Sequence, residues 1–150
     1  MRNIAARTLL LLTLTLPALA CSGDDPTPSS PTTPTIPQPA FTQTDLVVGT
    51  GATATNGRFA TIHYTLWLYD AAAPEQKGTQ METSLNTTPH RFLVGAGSVI
   101  RGWDLGVPGM RVGGQRRLII PASLAYGASG RGTIGPNQPL LFDLELVLVE

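Results

Sequence analysis

Charge is scarce in this chain, and what it lacks narrows its chemistry before any motif is read. Only 13% of its 150 residues are charged, ten basic against ten acidic. The arginines are scattered and no basic stripe interleaves with aromatics, which argues against a nucleic-acid surface. A lone cysteine, Cys21, rules out an internal disulfide. His63 and His90 stand at no metal-ligand spacing and no cysteine joins them, so no metal and no other cofactor is expected. Gly127, Gly130 and Gly132 lack the strand-turn-helix setting of a phosphate loop. Internal repeats are absent, and the length suits one domain.

What is present begins with a leader. MRNIAARTLLLLTLTLPALA has a positive start at Arg2 and Arg7, an apolar middle from Thr8 to Leu16, and small residues before Cys21, the pattern of a secretory signal over residues 1–20. It is short against the roughly 20 apolar residues a bilayer core demands, and Pro17 interrupts it. Ala18-Leu19-Ala20-Cys21 resembles a bacterial lipobox, which implies lipidation of Cys21, a membrane-anchored lipoprotein and an extracytoplasmic, periplasm-facing location. Ser22 after the cysteine points to the outer rather than the inner membrane. Two or three acyl chains would anchor stably, each buried methylene contributing about 0.8 kcal/mol. The stretch 21–41, rich in Pro, Ser and Thr with few apolar residues, is predicted to be a disordered tether. Setting aside the two leader arginines leaves eight basic residues against ten acidic ones.

From residue 42 to 150 the pattern alternates. Asp45 to Val48 opens a strand, and Arg58 to Tyr69 reads as one long strand whose core face carries Ala60, Ile62, Tyr64, Leu66 and Leu68. Ala71 to Gln80 is predicted as a loop, followed by a short strand at Met81 to Ser84 and another at Arg91 to Val94. In VIRGWDLG a short helix would put Ile100 and Trp103 one turn apart, with Val107 continuing the face until Pro108-Gly109 stops it. Gln115 to Ile120 is a strand ended by Pro121, and Ser123 to Asn137 is a long glycine-rich loop of the kind that is commonly functional. The last strand, Leu140 to Glu150, turns Phe142, Leu144, Leu146 and Leu148 to one side. Several strands and one short helix predict an α+β domain, an antiparallel sheet curved around that helix.

The segments HYTLWL (63–68), VIRGWDLGVPGMRVGGQRRLIIP (99–121), LAYG (124–127) and LLFDLELVLVE (140–150), in that order, closely resemble the FK506-binding-protein family of peptidyl-prolyl isomerases. The resemblance covers Asp45 to Glu150 and implies a five- or six-stranded half-barrel on one short helix, with an apolar cleft between them. It places Trp103 at the cleft floor and Tyr64, Phe92, Val99, Ile100, Ile134 and Phe142 around it. Tyr126 would offer its hydroxyl, and Ile100 its backbone N–H, to a bound carbonyl. Glu82 is expected either to orient Tyr64 or to interact with the polarised amide. Proline-containing polypeptides, and macrolides of the FK506 type, are the partners implied, with no sign of oligomerisation and a monomer expected.

The sequence departs from the family's pattern in places. Its Phe-Asp pair reads Met81-Glu82 here, which puts the flexible thioether of Met81 on the substrate-binding wall in place of an aromatic ring, and His90 and Ser98 stand where an aromatic and an acidic residue are usual. Such changes leave open a second function, a module that holds proline-containing or apolar segments without useful turnover.

Overall fold

The computed structural model describes residues 36–150. The expected signal peptide, Cys21 and most of the expected tether lie outside the described residues. Ile36 to Phe41 does not behave as free tether: Gln38 is hydrogen-bonded to the domain and Phe41 packs against the core.

Six strands form one antiparallel sheet: β1 (Thr42–Val47), β2 (Phe59–Tyr69), β3 (Lys77–Thr83), β4 (His90–Leu93), β5 (Gln115–Ile120) and β6 (Leu140–Val149). The order is β1-β5-β6-β2-β3, and β4 also pairs with β2. β2 is long enough to serve two partners on one edge, β4 along Phe59–Ile62 and β3 along Thr65–Tyr69. Its β-branched and aromatic residues suit a half-buried pleat. As predicted, Ala60, Ile62 and Leu66 are buried, and Tyr64 and Leu68 pack against the same core.

Helix α1 (Arg101–Gly106) lies against β5 at unusually close range, because the residues facing the sheet are Gly102 and Gly106. A Cβ on Gly102 would stand 2.6 Å from the Ile120 side chain, and one on Gly106 2.6 Å from Leu118. That closeness sinks Trp103 to 4% exposure and Val107 to none. The helix is shorter than predicted. Ile100 has an extended backbone (φ −59°, ψ 147°) and precedes it, so it forms a lip beside Trp103 rather than a turn above it. Arg116 fastens the other end: its side chain is 8% exposed, pairs with Asp45 of β1, and donates to the Gly106 carbonyl at 2.7 Å and the Pro108 carbonyl at 3.2 Å. Helix carbonyls left without intrahelical partners are thereby satisfied by a strand residue.

Two expectations about strands are corrected. Lys77–Gln80 is not loop but the first half of β3, held by pairing of Lys77 with Tyr69 and of Gln80 with Trp67. Leu148 is 46% exposed rather than inward. A bulge at Val147 shifts the register, so that Ile62 faces Leu146 but Thr61 faces Leu148; the extra residue inverts the alternation and turns Val149 toward the core.

Candidate functional site

Sheet, helix and the segment from Ala122 to Asn137, hereafter the flap, enclose a cleft of about 430 Å³. From β2 come Tyr64 and Leu66, from β6 Phe142, from β3 Met81 and Glu82, and from β4 His90. The turn before α1 contributes Ser98, Val99 and Ile100, and the flap contributes Tyr126, Arg131 and Ile134.

Trp103 is the hub. Tyr64, His90 and Phe142 meet its indole edge-on, with centroids 5.3, 6.0 and 5.4 Å away, and Phe92 tilts against it at 5.5 Å. Such edge-to-face pairs add to the area they bury. The indole Nε1–H has no acceptor among the described residues, and the indole is packed among aromatic rings. Although little of Trp103 reaches solvent, it remains part of the cleft lining.

All but one of the residues expected around the cleft line it: Tyr64, Met81, Glu82, Val99, Ile100, Trp103, Tyr126, Ile134 and Phe142. Phe92 does not. It is buried behind the wall, and His90, stacked on it at 5.9 Å, takes the wall position. β4 alternates, and residues two apart share a face, so both point inward, but His90 lies nearer the cleft. Arg131 went unremarked in the sequence; it sits in an irregular loop where no periodicity marks which way a side chain turns.

The polar groups are few and placed. Tyr64 donates its hydroxyl proton to Glu82 Oε1 at 2.6 Å. Burial, followed by that bond and the Glu82 charge, raises the Tyr64 pKa, so the phenol stays protonated across the physiological range. With its proton committed to Glu82, the Tyr64 oxygen meets a ligand as an acceptor. The Tyr126 hydroxyl makes no hydrogen bond to the described residues, and neither does the Ile100 N–H; both residues line the cleft, and both donors are free for a ligand. Asp104 holds the approach to Ile100 by accepting from the Gly95 and Gly97 N–H groups at 3.0 and 2.9 Å. Among the described residues no three His, Cys, Asp or Glu side chains gather as metal ligands.

The arrangement is an aromatic hollow with a few polar groups around it, in which Tyr64 keeps its proton and gives it to Glu82 as a hydrogen bond. Comparison with known proteins agrees. A sequence profile of the FKBP-type peptidyl-prolyl cis-trans isomerases matches residues 51–147, and the chain belongs to that family. It is 42% identical over 107 residues to the FK506-binding protein of Neisseria meningitidis serogroup B, covering 70% of this chain and 92% of that protein. It is 48% identical over 92 residues to FK506-binding protein 5 of Dictyostelium discoideum, covering 61% of this chain but only 6% of that much longer protein. The crystal structure of AtFKBP13 is similar with a TM-score of 0.63 and 36% identity, over 75% of this chain and 96% of that one. The six-stranded sheet and the single short α-helix of the described residues are thus the fold of this family.

Proposed function

We propose that this chain accelerates cis/trans rotation of X-Pro peptide bonds in extracytoplasmic proteins, working as a monomer held to a membrane by lipid on Cys21. The observation that carries the catalytic part is the Trp103-floored cleft with two free donors, Tyr126 Oη and Ile100 N–H, at its rim. Peptide-bond rotation faces a barrier of about 18–20 kcal/mol because planarity preserves amide resonance. Before proline the two isomers are close in energy yet exchange over tens to hundreds of seconds. A catalyst therefore needs no covalent step; it must bind the twisted amide better than the planar one.

The cleft supplies that difference. A planar amide carries more charge on its oxygen and is better hydrated, so entry among Trp103, Phe142, Ile100 and Tyr64 costs it more than the twisted form. The indole seats the proline ring, Tyr126 follows the carbonyl as it turns, and Glu82 holds Tyr64 in place. A thousandfold acceleration requires only about 4 kcal/mol of discrimination.

A protease-coupled assay of an X-Pro peptide, with and without an FK506-type macrolide, tests this. Acceleration that the macrolide abolishes is expected. Saturable macrolide binding without acceleration would favour the second reading, a holding module, which the thioether of Met81 and the imidazole of His90 on the cleft wall support. The anchor rests on the leader pattern ending at Cys21. Fatty-acid labelling that persists in Cys21→Ser would overturn it.

A further inference from the structure

Gln38 stands four residues before β1, outside any strand or helix, yet its side chain spans the two ends of the flap. Its Oε1 accepts from the Ala122 N–H at 2.9 Å, and its Nε2 donates to the Asn137 carbonyl at 2.8 Å and to the Ile36 carbonyl at 3.0 Å. Ala122 opens the flap and Asn137 closes it. Ala122 is only 3% exposed, so its N–H has poor access to water if the glutamine is lost.

Every other hydrogen bond made by the flap, among the described residues, joins it to itself or to Pro121 beside it. Leu124 N–H bonds to Pro121, Ala125 N–H to Ala122, and Asn137 N–H to Gly127, while Arg131 and Ile134 exchange a reciprocal pair at 2.9 Å. Gln38 is therefore the one residue elsewhere in the described chain that fixes the flap by hydrogen bonds. The flap's remaining hold is apolar, chiefly through Ile134, which is 9% exposed in the core cluster. Apolar contact is non-directional and holds a loop down without setting its register. A side-chain amide with fixed donor and acceptor does set it.

We propose that Gln38 is a positioning residue of the cleft: by joining Ala122 to Asn137 it sets the flap so that Tyr126 and Ile134 face Trp103. The kinetic part of this inference rests on the isomerase reading; the structural part does not. Displacement of a group by about 1 Å is enough to weaken catalysis strongly. The bond from Tyr126 to a turning carbonyl counts most in the transition state, so kcat carries the loss rather than KM.

The test uses the full chain with Gln38→Ala and Gln38→Glu. One arm measures kcat and KM on an X-Pro peptide. The other measures the rate at which trypsin cuts the exposed Arg131-Gly132 bond of the flap, against cuts at Arg101 in α1 and Arg117 in β5. Gln38→Ala is expected to lower kcat/KM about fivefold, mostly in kcat, and to speed cutting at Arg131 alone by a similar factor. Gln38→Glu retains the acceptor for Ala122 but not the donor for Asn137, and should fall between the two. Unchanged cutting at Arg131, faster cutting at all three sites, or faster cutting at Arg131 with unchanged kcat/KM would each overturn the proposal. A parent chain inactive on every X-Pro peptide would instead sink the isomerase reading, and the Arg131 cutting rate alone would then decide whether Gln38 anchors the flap.

Discussion

The two walls of the cleft are built on different principles. Tyr64 and Phe142 project from β2 and β6, whose ladder runs unbroken from Ile62 to Leu68, and Trp103 projects from α1, which is close-packed on β5. Tyr126, Arg131 and Ile134 project from a flap that has two single 3₁₀ turns, one isolated bridge and three glycines with left-handed backbone. The first wall is redundant, each residue held by many neighbours. The second depends on a few specific geometries. Damage to the first should therefore appear as lost stability together with lost activity, and damage to the second as lost activity alone.

The largest effect is expected from Trp103→Ala. Four aromatic rings pack on that indole, and its removal opens a cavity in the core. Destabilisation of about 3–5 kcal/mol in urea unfolding is expected, with isomerase activity lost as well. A loss of activity at unchanged stability would break the comparison, since it would make the indole a cleft residue and not a core one.

Next comes Arg116→Met. The substitution keeps much of the apolar stem but leaves the Gly106 and Pro108 carbonyls without their donor. A loss of about 1–3 kcal/mol is expected, with activity following only through α1 and Trp103.

On the flap, Gly130→Ala inverts the pattern. Gly130 has φ +66° and ψ −172°, a conformation essentially restricted to glycine, and an added Cβ would press on the Ile134 carbonyl. The reciprocal Arg131–Ile134 bonds should break and Ile134 lose its place on the cleft wall. Activity is expected to fall about tenfold while the global unfolding midpoint falls far less than with Trp103→Ala, since Ile134 is the one flap residue of the buried core cluster and the rest of the loop lies at the low-stability end of the molecule. Hydrogen exchange over residues 122–137, compared with β2 and β6, would show whether the disturbance stays local.

The same contrast explains what could be read in advance. β5 was legible to the residue, because QRRLII between a glycine pair and Pro121 is a strand bounded on both sides. β2 and most cleft residues followed from alternation together with the family resemblance. Lys77–Gln80 was not legible, since KGTQ carries no apolar alternation and becomes strand only because β2 offers it an edge. The Val147 bulge was hidden in an unbroken apolar run, where either phase of alternation reads equally well. Phe92 and His90 share a face, and the choice of which one reaches the cleft is made by depth rather than by period. Gln38 lay furthest from view: its partners are backbone groups 84 and 99 residues away, and backbone groups leave no mark in a sequence.

The smallest effect tests the scaffold where it lies away from the cleft. Asp143 of β6 bonds Arg117 at 2.7 Å and Lys77 at 3.0 Å, and both cations also reach Glu75. Burial opposes ionisation of Asp143, but the bonds to Arg117 and Lys77 outweigh it and hold its pKa below the usual carboxylate value. The pKa of Glu75 is lowered by its bonds to Lys77 and Arg117, and that of Asp45 by its bond to Arg116. With folded-state values depressed, the unfolded chain binds more protons in acid. The stabilisation is present above the ordinary carboxylate range of about 4 and is lost as pH falls through and below it. Arg117→Met should flatten the fall of unfolding free energy between about pH 5 and pH 2 and leave isomerase turnover near that of the parent, since Arg117 does not line the cleft. An acid slope as steep as the parent's would mean that Asp143 and Glu75 owe nothing to Arg117. A drop in turnover at neutral pH would show that charge on the far face of the sheet reaches the cleft, and the division between a redundant scaffold and a delicate flap would have to be redrawn.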